Sequence, residues 1–222
     1  MIGPVSKIRG RGVVHAVGDH RISRDGTPDR FTPMHEHIDT TWSTYESPLG
    51  RLTLVAGPRG LRTIAFPGET EEPAAGEARA HPGGGSVVGA TVLAEAAGQL
   101  DEYFAGERRA FELPLDIDDQ GSPFQRSVWS ELTKIPFGAT TSYGAVARAI
   151  GRLDRIRAVG GAVGRVPVPI VVPCHRVIGS SGDLVGYGGG LPRKRALLEL
   201  EARVAGNEPL PALWSARQLA ML

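Results

Sequence analysis

The chain has 222 residues, a formal net charge of +1 and a single cysteine, Cys174. That length allows one large domain or two small ones, with enough chain to bury a core, and one cysteine excludes an intramolecular disulfide and a Cys-rich zinc site. No apolar run is long enough to span a bilayer, and the basic start, Met1 to Gly12, is not followed by the apolar stretch of a secretory signal, so the expectation is a cytoplasmic protein.

Residues 1–39 are rich in Gly, Arg, Asp and His with no sustained period and read as a flexible extension. His35 and His37 lie there without clustered ligands, which favours a polar tail over a metal site. Folding is expected to begin near Thr40. Trp42 to Tyr45 reads as a strand, Pro48-Leu49-Gly50 as a turn, and Leu52, Leu54 and Ala56 as one face of a second strand. After a turn at Gly57-Pro58-Arg59-Gly60, Leu61 to Phe66 reads as a third, which makes an antiparallel meander. Residues 67–85 read as a loop. Val92 to Phe104 reads as a helix with Leu93, Ala97, Leu100 and Phe104 on one face, and Phe111, Leu113, Leu115 and Ile117 alternate like another strand. This unit, residues 40–117, is α+β and displays no chemistry of its own.

Residues 118–121 are polar and read as a linker into a second, more helical unit, residues 118–206. Ser122-Pro123-Phe124-Gln125 fits a capping box with proline at the first helical position, opening a helix to about Lys134. Ser142 caps a short helix ending near Gly151, and another runs from about Asp154 to Val163. Two short helices joined by a Gly-containing turn read as a helix-turn-helix. A last helix runs from Pro192 to about Ala205, closed by Gly206-Asn207. Residues 207–222, including Trp214, form a tail.

The run that carries chemistry is Ile170 to Val177, an apolar, strand-like segment that delivers Cys174 to its end beside His175 and Arg176. The thiolate is the nucleophilic form of cysteine, and nearby positive charge lowers a thiol's pKa. A histidine takes the thiol proton, directly or through a water, and a carboxylate orients the histidine. From spacing alone the run reads equally well as a buried cysteine beside a surface His-Arg pair.

Pro173-Cys174-His175-Arg176-Val177 resembles the acceptor-site motif of the O6-alkylguanine-DNA alkyltransferases, the methylated-DNA–protein-cysteine methyltransferases. Ser142-Tyr143-Gly144, Arg157 to Ala162, Tyr187 to Gly190 and Lys194 to Glu201 extend the resemblance in order, so it is strong over residues 122–201. It is weaker over 40–117, where it rests on Ser47-Pro48-Leu49-Gly50 and the strand pattern. The resemblance implies a ribonuclease H-like antiparallel-sheet domain followed by a helical domain with a helix-turn-helix. It implies a monomer acting on double-stranded DNA that contains O6-alkylguanine, or O4-alkylthymine as a second substrate, with no cofactor and no metal.

Site roles follow from the resemblance. Cys174 is the alkyl acceptor, His175 the base acting through a water, and Glu201 the carboxylate that holds the imidazole, with Glu199 as a nearby rival. Because guanine O6 lies inside the stack, the nucleotide is flipped into a pocket. Arg157, on the second helix of the helix-turn-helix, fills the space it leaves, in the minor groove. Tyr143 contacts base and phosphate, and Arg176 contacts DNA. Tyr187, Gly188, Gly189 and Lys194 line the pocket, the Gly188 N–H faces O6, and the carbonyls of Cys174 and Val177 read the guanine amino group. One position departs from the family: Val166 stands where an asparagine hinge is usual, and valine can neither donate nor accept that residue's hydrogen bonds. The expectation is slower transfer or a compensating polar partner. The competing reading, a lesion binder that transfers nothing, conflicts with the presence of Cys174.

Overall fold

The computed structural model describes residues 40–67, 81–82 and 87–207. The readings made above for the N-terminal extension with His35 and His37, for most of the 67–85 loop, and for the tail with Trp214 lie outside these residues.

The meander forms as the alternation demands. Strands β1 (Thr41–Ser47), β2 (Gly50–Gly57) and β3 (Gly60–Ala65) pair antiparallel. Each hairpin turns on two residues, since Ser47 pairs with Gly50 and Gly57 with Gly60. The first turn is braced by Ser47, whose Oγ donates to the Gly50 carbonyl (2.6 Å) and accepts from Leu49 N–H (3.1 Å). Leu52, Leu54 and Ala56 are fully buried. The β2–β3 register shifts at Val55/Ala56, which leaves Arg62 as the extra residue and changes the parity of β3. Leu61 and Ile64, three apart, therefore both face the core. A two-residue strand β4 (His81–Pro82), inside the segment read as loop, pairs parallel with β1 and completes the order β3-β2-β1-β4.

Helix α1 (Val87–Ala105) starts one turn earlier than expected and packs across β1, β2 and β3. Val92, Leu93, Ala96, Leu100 and Tyr103 form its buried face, at the spacing of a helical stripe. The expected strand over Phe111–Ile117 is absent as a ladder. Only Leu115 bridges to Leu61, with Leu61 N–H donating to Pro114 O (2.8 Å) and Asp116 N–H to Leu61 O (2.9 Å). Pro114 has no N–H to continue the pairing. The alternation instead records burial: Phe111, Leu113, Leu115 and Ile117 all pack on the first core.

The second half begins at α2 (Pro123–Leu132), where Ser122 Oγ accepts from Gln125 N–H (3.3 Å) and the Gln125 side chain accepts from Ser122 N–H (2.8 Å), the capping box read from sequence. Strand β5 (Thr141–Ser142) pairs parallel with β6 (Val177–Ile178). Ser142 then caps α3 (Tyr143–Ala149) by accepting from Ala145 N–H (3.1 Å). A turn through Gly151 and a 3₁₀ turn at Leu153–Arg155 lead into α4 (Ile156–Val163), completing the helix-turn-helix. Helix α5 (Leu191–Ala205) ends on Gly206 in the left-handed region.

The two halves do not bury separate interiors. Val168, Ile170, Leu197 and Leu200, all from the second half, lie in the same core as the sheet and α1. Ile64 N–H of β3 donates to Pro167 O (2.9 Å). The polar stretch at residues 118–121 separates chain segments, while the packing crosses it.

Candidate active site

Cys174 is not at the end of a strand. Val168 to Val172 make a tight turn, closed by Val172 N–H donating to Val168 O (2.9 Å). Ile170 sits in it at φ 74°, the only positive-φ residue other than glycine among the described residues. That conformation costs on the order of 1–3 kcal/mol for a β-branched side chain, offset here by complete burial of the same side chain in the first core. The turn feeds a 3₁₀ turn, Cys174–Arg176. With three residues per turn, successive side chains leave the backbone about 120° apart, so the three side chains start in different directions.

His175 and Arg176 converge on Glu201 of α5. His175 Nε2 lies 2.9 Å from Glu201 Oε1. Arg176 donates from Nη2 to Oε1 (2.8 Å), from Nε to Oε2 (2.9 Å), and from Nη1 to Ile135 O (2.6 Å). Tyr103 Oη donates to Oε1 (2.9 Å) and Gly138 N–H to Oε2 (3.0 Å). Burial alone would raise the Glu201 carboxyl, but the hydrogen bonds from His175 and Arg176, with the positive charge of Arg176, outweigh it and bring the pKa down to about 2. Glu201 is thus an ionised acceptor, so the proton on His175 resides on Nε2. Burial also lowers the His175 pKa, against the pull of Glu201. The imidazole is therefore neutral near pH 7, with Nδ1 as its basic nitrogen. Nδ1 is buried and has no hydrogen-bond partner among the described residues.

Burial pushes the Cys174 thiol up to about 12, opposed by the charge of Lys194, by the Cys174 and His175 backbone N–H groups and by the Tyr187 hydroxyl. In this buried setting the sulfur is a neutral thiol, with a neutral base beside it in sequence and donors arranged for the thiolate. Lys194 is itself buried, and burial takes its pKa down to about 8 against the pull of Cys174. Its Nζ donates to Val185 O (2.8 Å) and Gly186 O (3.1 Å) and lies 5.8 Å from the centre of the Tyr143 ring. Tyr143 Oη donates to the same Val185 carbonyl (2.9 Å). Lys194 and Tyr143 thus hold residues 185–186, the start of the glycine loop, from two sides.

The glycine loop is fixed to the first half. A Cβ on Gly189 would fall 2.5 Å from the Phe66 ring, so only glycine fits there. The Phe66 and Tyr187 rings lie 5.8 Å apart. Arg193 donates to Gly189 O (2.8 Å) and to Leu49 O (3.0 Å), with its guanidinium 5.2 Å from the centre of the Phe66 ring. Gly188 is exposed, as is Arg157 at the start of α4, whereas Val177 is fully buried.

Two family models match the chain: 6-O-methylguanine DNA methyltransferase, ribonuclease-like domain, over residues 40–117, and 6-O-methylguanine DNA methyltransferase, DNA binding domain, over residues 123–203. The chain belongs to the 6-O-methylguanine DNA methyltransferase family. It is 46% identical over 160 residues to the methylated-DNA–protein-cysteine methyltransferase of Mycobacterium tuberculosis H37Rv, a match covering 72% of this chain and 91% of that one. It is 40% identical over 160 residues to the enzyme of the same name from Methanosarcina acetivorans, covering 72% and 97%. Among solved structures, that of Mycobacterium tuberculosis OGT in complex with DNA superposes with a TM-score of 0.65 at 44% identity, covering 74% of this chain and 94% of that one.

Within this methyltransferase framework, one residue expected from sequence is corrected. Arg176 was expected to contact DNA, yet it is 6% exposed and all three of its guanidinium nitrogens are bound inside the protein. It neutralises Glu201. Between the rival carboxylates, Glu201 is buried in the network, while Glu199 is exposed and pairs with Arg195 (2.6 Å). Val166 packs, half-buried, against the second core. The turn that follows it is held by backbone bonds, Val172 N–H to Val168 O and Ile64 N–H to Pro167 O, where an asparagine amide was expected to brace it. Tyr103, Gly138, Phe66 and Arg193 were not found from sequence. For Tyr103 a signal existed: a tyrosine on the core face of a helix carries a hydroxyl that needs a buried partner. For Gly138, a backbone donor, the sequence holds none.

No helix among the described residues is long and apolar enough to cross a membrane.

Proposed function

We propose that this chain repairs double-stranded DNA by moving the alkyl group of O6-alkylguanine onto Cys174 in one irreversible step. The observation that carries this reading is the arrangement around His175: an ionised Glu201 on Nε2, an unpartnered Nδ1, and a neutral thiol on the preceding residue. A nucleophilic cysteine needs a base in its unprotonated form, and this imidazole is held in that form.

In the reaction, Nδ1 of His175 takes the thiol proton, directly or through a bridging water. Sγ attacks the alkyl carbon, the S–C bond forms, and the C–O6 bond breaks with its electron pair passing to the guanine. The proton is then delivered to the guanine, so a thioether and an unmodified base result with no net oxidation. The thioether has no bond labile to water, so each chain acts once. Lys194 and the backbone N–H groups at Cys174 and His175 favour the thiolate as it forms.

Arg157 is the residue assigned to the space the flipped nucleotide vacates. It is exposed on the first turn of α4, and no ion pair or hydrogen bond holds it among the described residues. Tyr143, Tyr187, Gly188 and Gly189 form the base pocket, and Lys194 supports its loop from behind. O4-alkylthymine carries an equivalent alkyl–oxygen bond and is a second candidate substrate. The network is complete within one chain, which supports a monomer. A lone thiol nucleophile suits a reducing compartment, which supports action in the cytoplasm.

The test is intact-mass analysis after mixing with a duplex containing O6-methylguanine. The expected result is one added methyl per chain on the peptide holding Cys174, and none in Cys174→Ser. Lesion removal by Cys174→Ser would overturn the assignment.

A further inference from the structure

Glu201 is the junction of the acceptor site, and one of its partners comes from the half of the molecule with no chemistry of its own. Tyr103, on α1, is fully buried and donates to Oε1 of Glu201 (2.9 Å), the oxygen that also takes the Nε2 proton of His175 (2.9 Å) and a bond from Arg176 Nη2 (2.8 Å). Ninety-eight residues separate Tyr103 from Glu201. Resting on the function proposed above, we propose that Tyr103 is a positioning residue of the acceptor site: its hydroxyl fixes Glu201 Oε1 and so sets the orientation and basicity of His175.

The ring cannot easily be anywhere else. Phe104 and Phe111 lie 5.3 Å away and Phe137 6.1 Å away, measured between ring centres, and Phe137 in turn carries the guanidinium of Arg176 at 5.7 Å. A ring caged in this way has lost its rotamer freedom on folding, so delivering the hydroxyl to Glu201 adds little entropic cost. Burial, and then the negative charge of Glu201, raise the Tyr103 pKa well above its usual value, so the group acts as a donor throughout the working range. A neutral donor on a carboxylate oxygen withdraws part of the charge that the imidazole would otherwise feel. Removing it makes Glu201 Oε1 a stronger acceptor and His175 easier to protonate. The other charged groups acting on His175 are Glu201 and Lys194 of α5 and Arg176 of the 3₁₀ turn. A change at Tyr103 removes none of these groups and acts on His175 through the Glu201 oxygen it bonds.

The experiment uses the full chain with Tyr103→Phe, which keeps the ring and its packing, and Tyr45→Phe as control. Tyr45→Phe also removes one hydroxyl that bonds to α1, on Asp101 (2.8 Å), but outside the network. Two readings are taken: the single-turnover rate of methyl transfer from an O6-methylguanine duplex as a function of pH, and the titration of His175 by NMR with ring-labelled histidine. For Tyr103→Phe the His175 titration is expected to move up by about half a pH unit or more. The acid limb of the rate profile should move with it, and the plateau rate should fall by roughly 3-fold or more. Tyr45→Phe should match the parent in both. A Tyr103→Phe protein with the parent's His175 titration overturns the proposal, whether its rate is unchanged or falls equally at every pH. Should the parent chain transfer no methyl at all, the proposed function fails instead, and the His175 titration still decides whether Tyr103 governs the pair.

Discussion

Residues 40–117 and 118–207 use the same burial for different ends. In the first half, Leu52, Leu54, Leu61 and Leu100 fill a core whose purpose is shape. In the second, polar groups are buried as deeply as the apolar ones: His175, Lys194 and Glu201 are each within 1% of full burial. Burying charge is costly unless it is paired and bonded, and this second set is bonded throughout, except at the one imidazole nitrogen that the chemistry uses. The difference teaches that the reactive half cannot be self-sufficient. Its strained turn is anchored on β3, its glycine loop on Phe66 and Leu49, and its central carboxylate on Tyr103. The first half acts as the mould in which the second is set.

The comparison can be broken most forcibly at Glu201. Glu201→Gln leaves the Arg176 guanidinium buried without its counter-charge, a loss of about 3–5 kcal/mol of folding stability at pH 7. The folded-state pKa of Glu201 is depressed, so its contribution is complete above the unfolded value near 4 and fades as the pH falls toward about 2. Urea unfolding of parent and variant between pH 7 and pH 3 should therefore converge as the medium becomes more acid, and curves that stay parallel would refute the pairing.

Next comes the mould itself. Leu100→Ala, in the first core, should cost about 2–5 kcal/mol through the cavity it leaves. If that half supplies shape alone at this position, the transfer rate per folded molecule stays near that of the parent under native conditions. A rate loss beyond the unfolded fraction would show that the core also tunes the site.

A smaller effect, confined to DNA, is expected at Arg157. Arg157→Ala should lower transfer from duplex DNA about 10-fold through weaker stabilisation of the flipped state, with little change in melting temperature, because the side chain is exposed and makes no bond among the described residues. Comparing duplex with single-stranded substrate checks this: an equal loss on both would remove Arg157 from the flipping step.

The smallest change is Val166→Asn. Backbone bonds already hold the turn that follows Val166, so a restored amide should raise the transfer rate by about 2- to 5-fold at most, a fraction of a hydrogen bond's net worth. An unchanged rate would mean that the position has no bearing on catalysis in this chain.

Read alone, the sequence determined the features that depend on neighbours along the chain. The hairpins, the face of α1, the Ser122 and Ser142 caps and the Gly206 stop each follow from periodicity or from a bond spanning a few residues. The acceptor motif is equally local. Tertiary structure decided whatever depends on groups far apart in sequence. It turned the alternation of Phe111–Ile117 into burial without a ladder, because a prolyl nitrogen donates nothing. It bent the segment before Cys174 into a turn that burial of Ile170 offsets, and it withdrew Arg176 from the surface to balance Glu201. It also brought Tyr103 across to the same carboxylate. A side chain's partners are set by the three-dimensional neighbourhood that desolvates it, and that neighbourhood exists only once both halves have packed together.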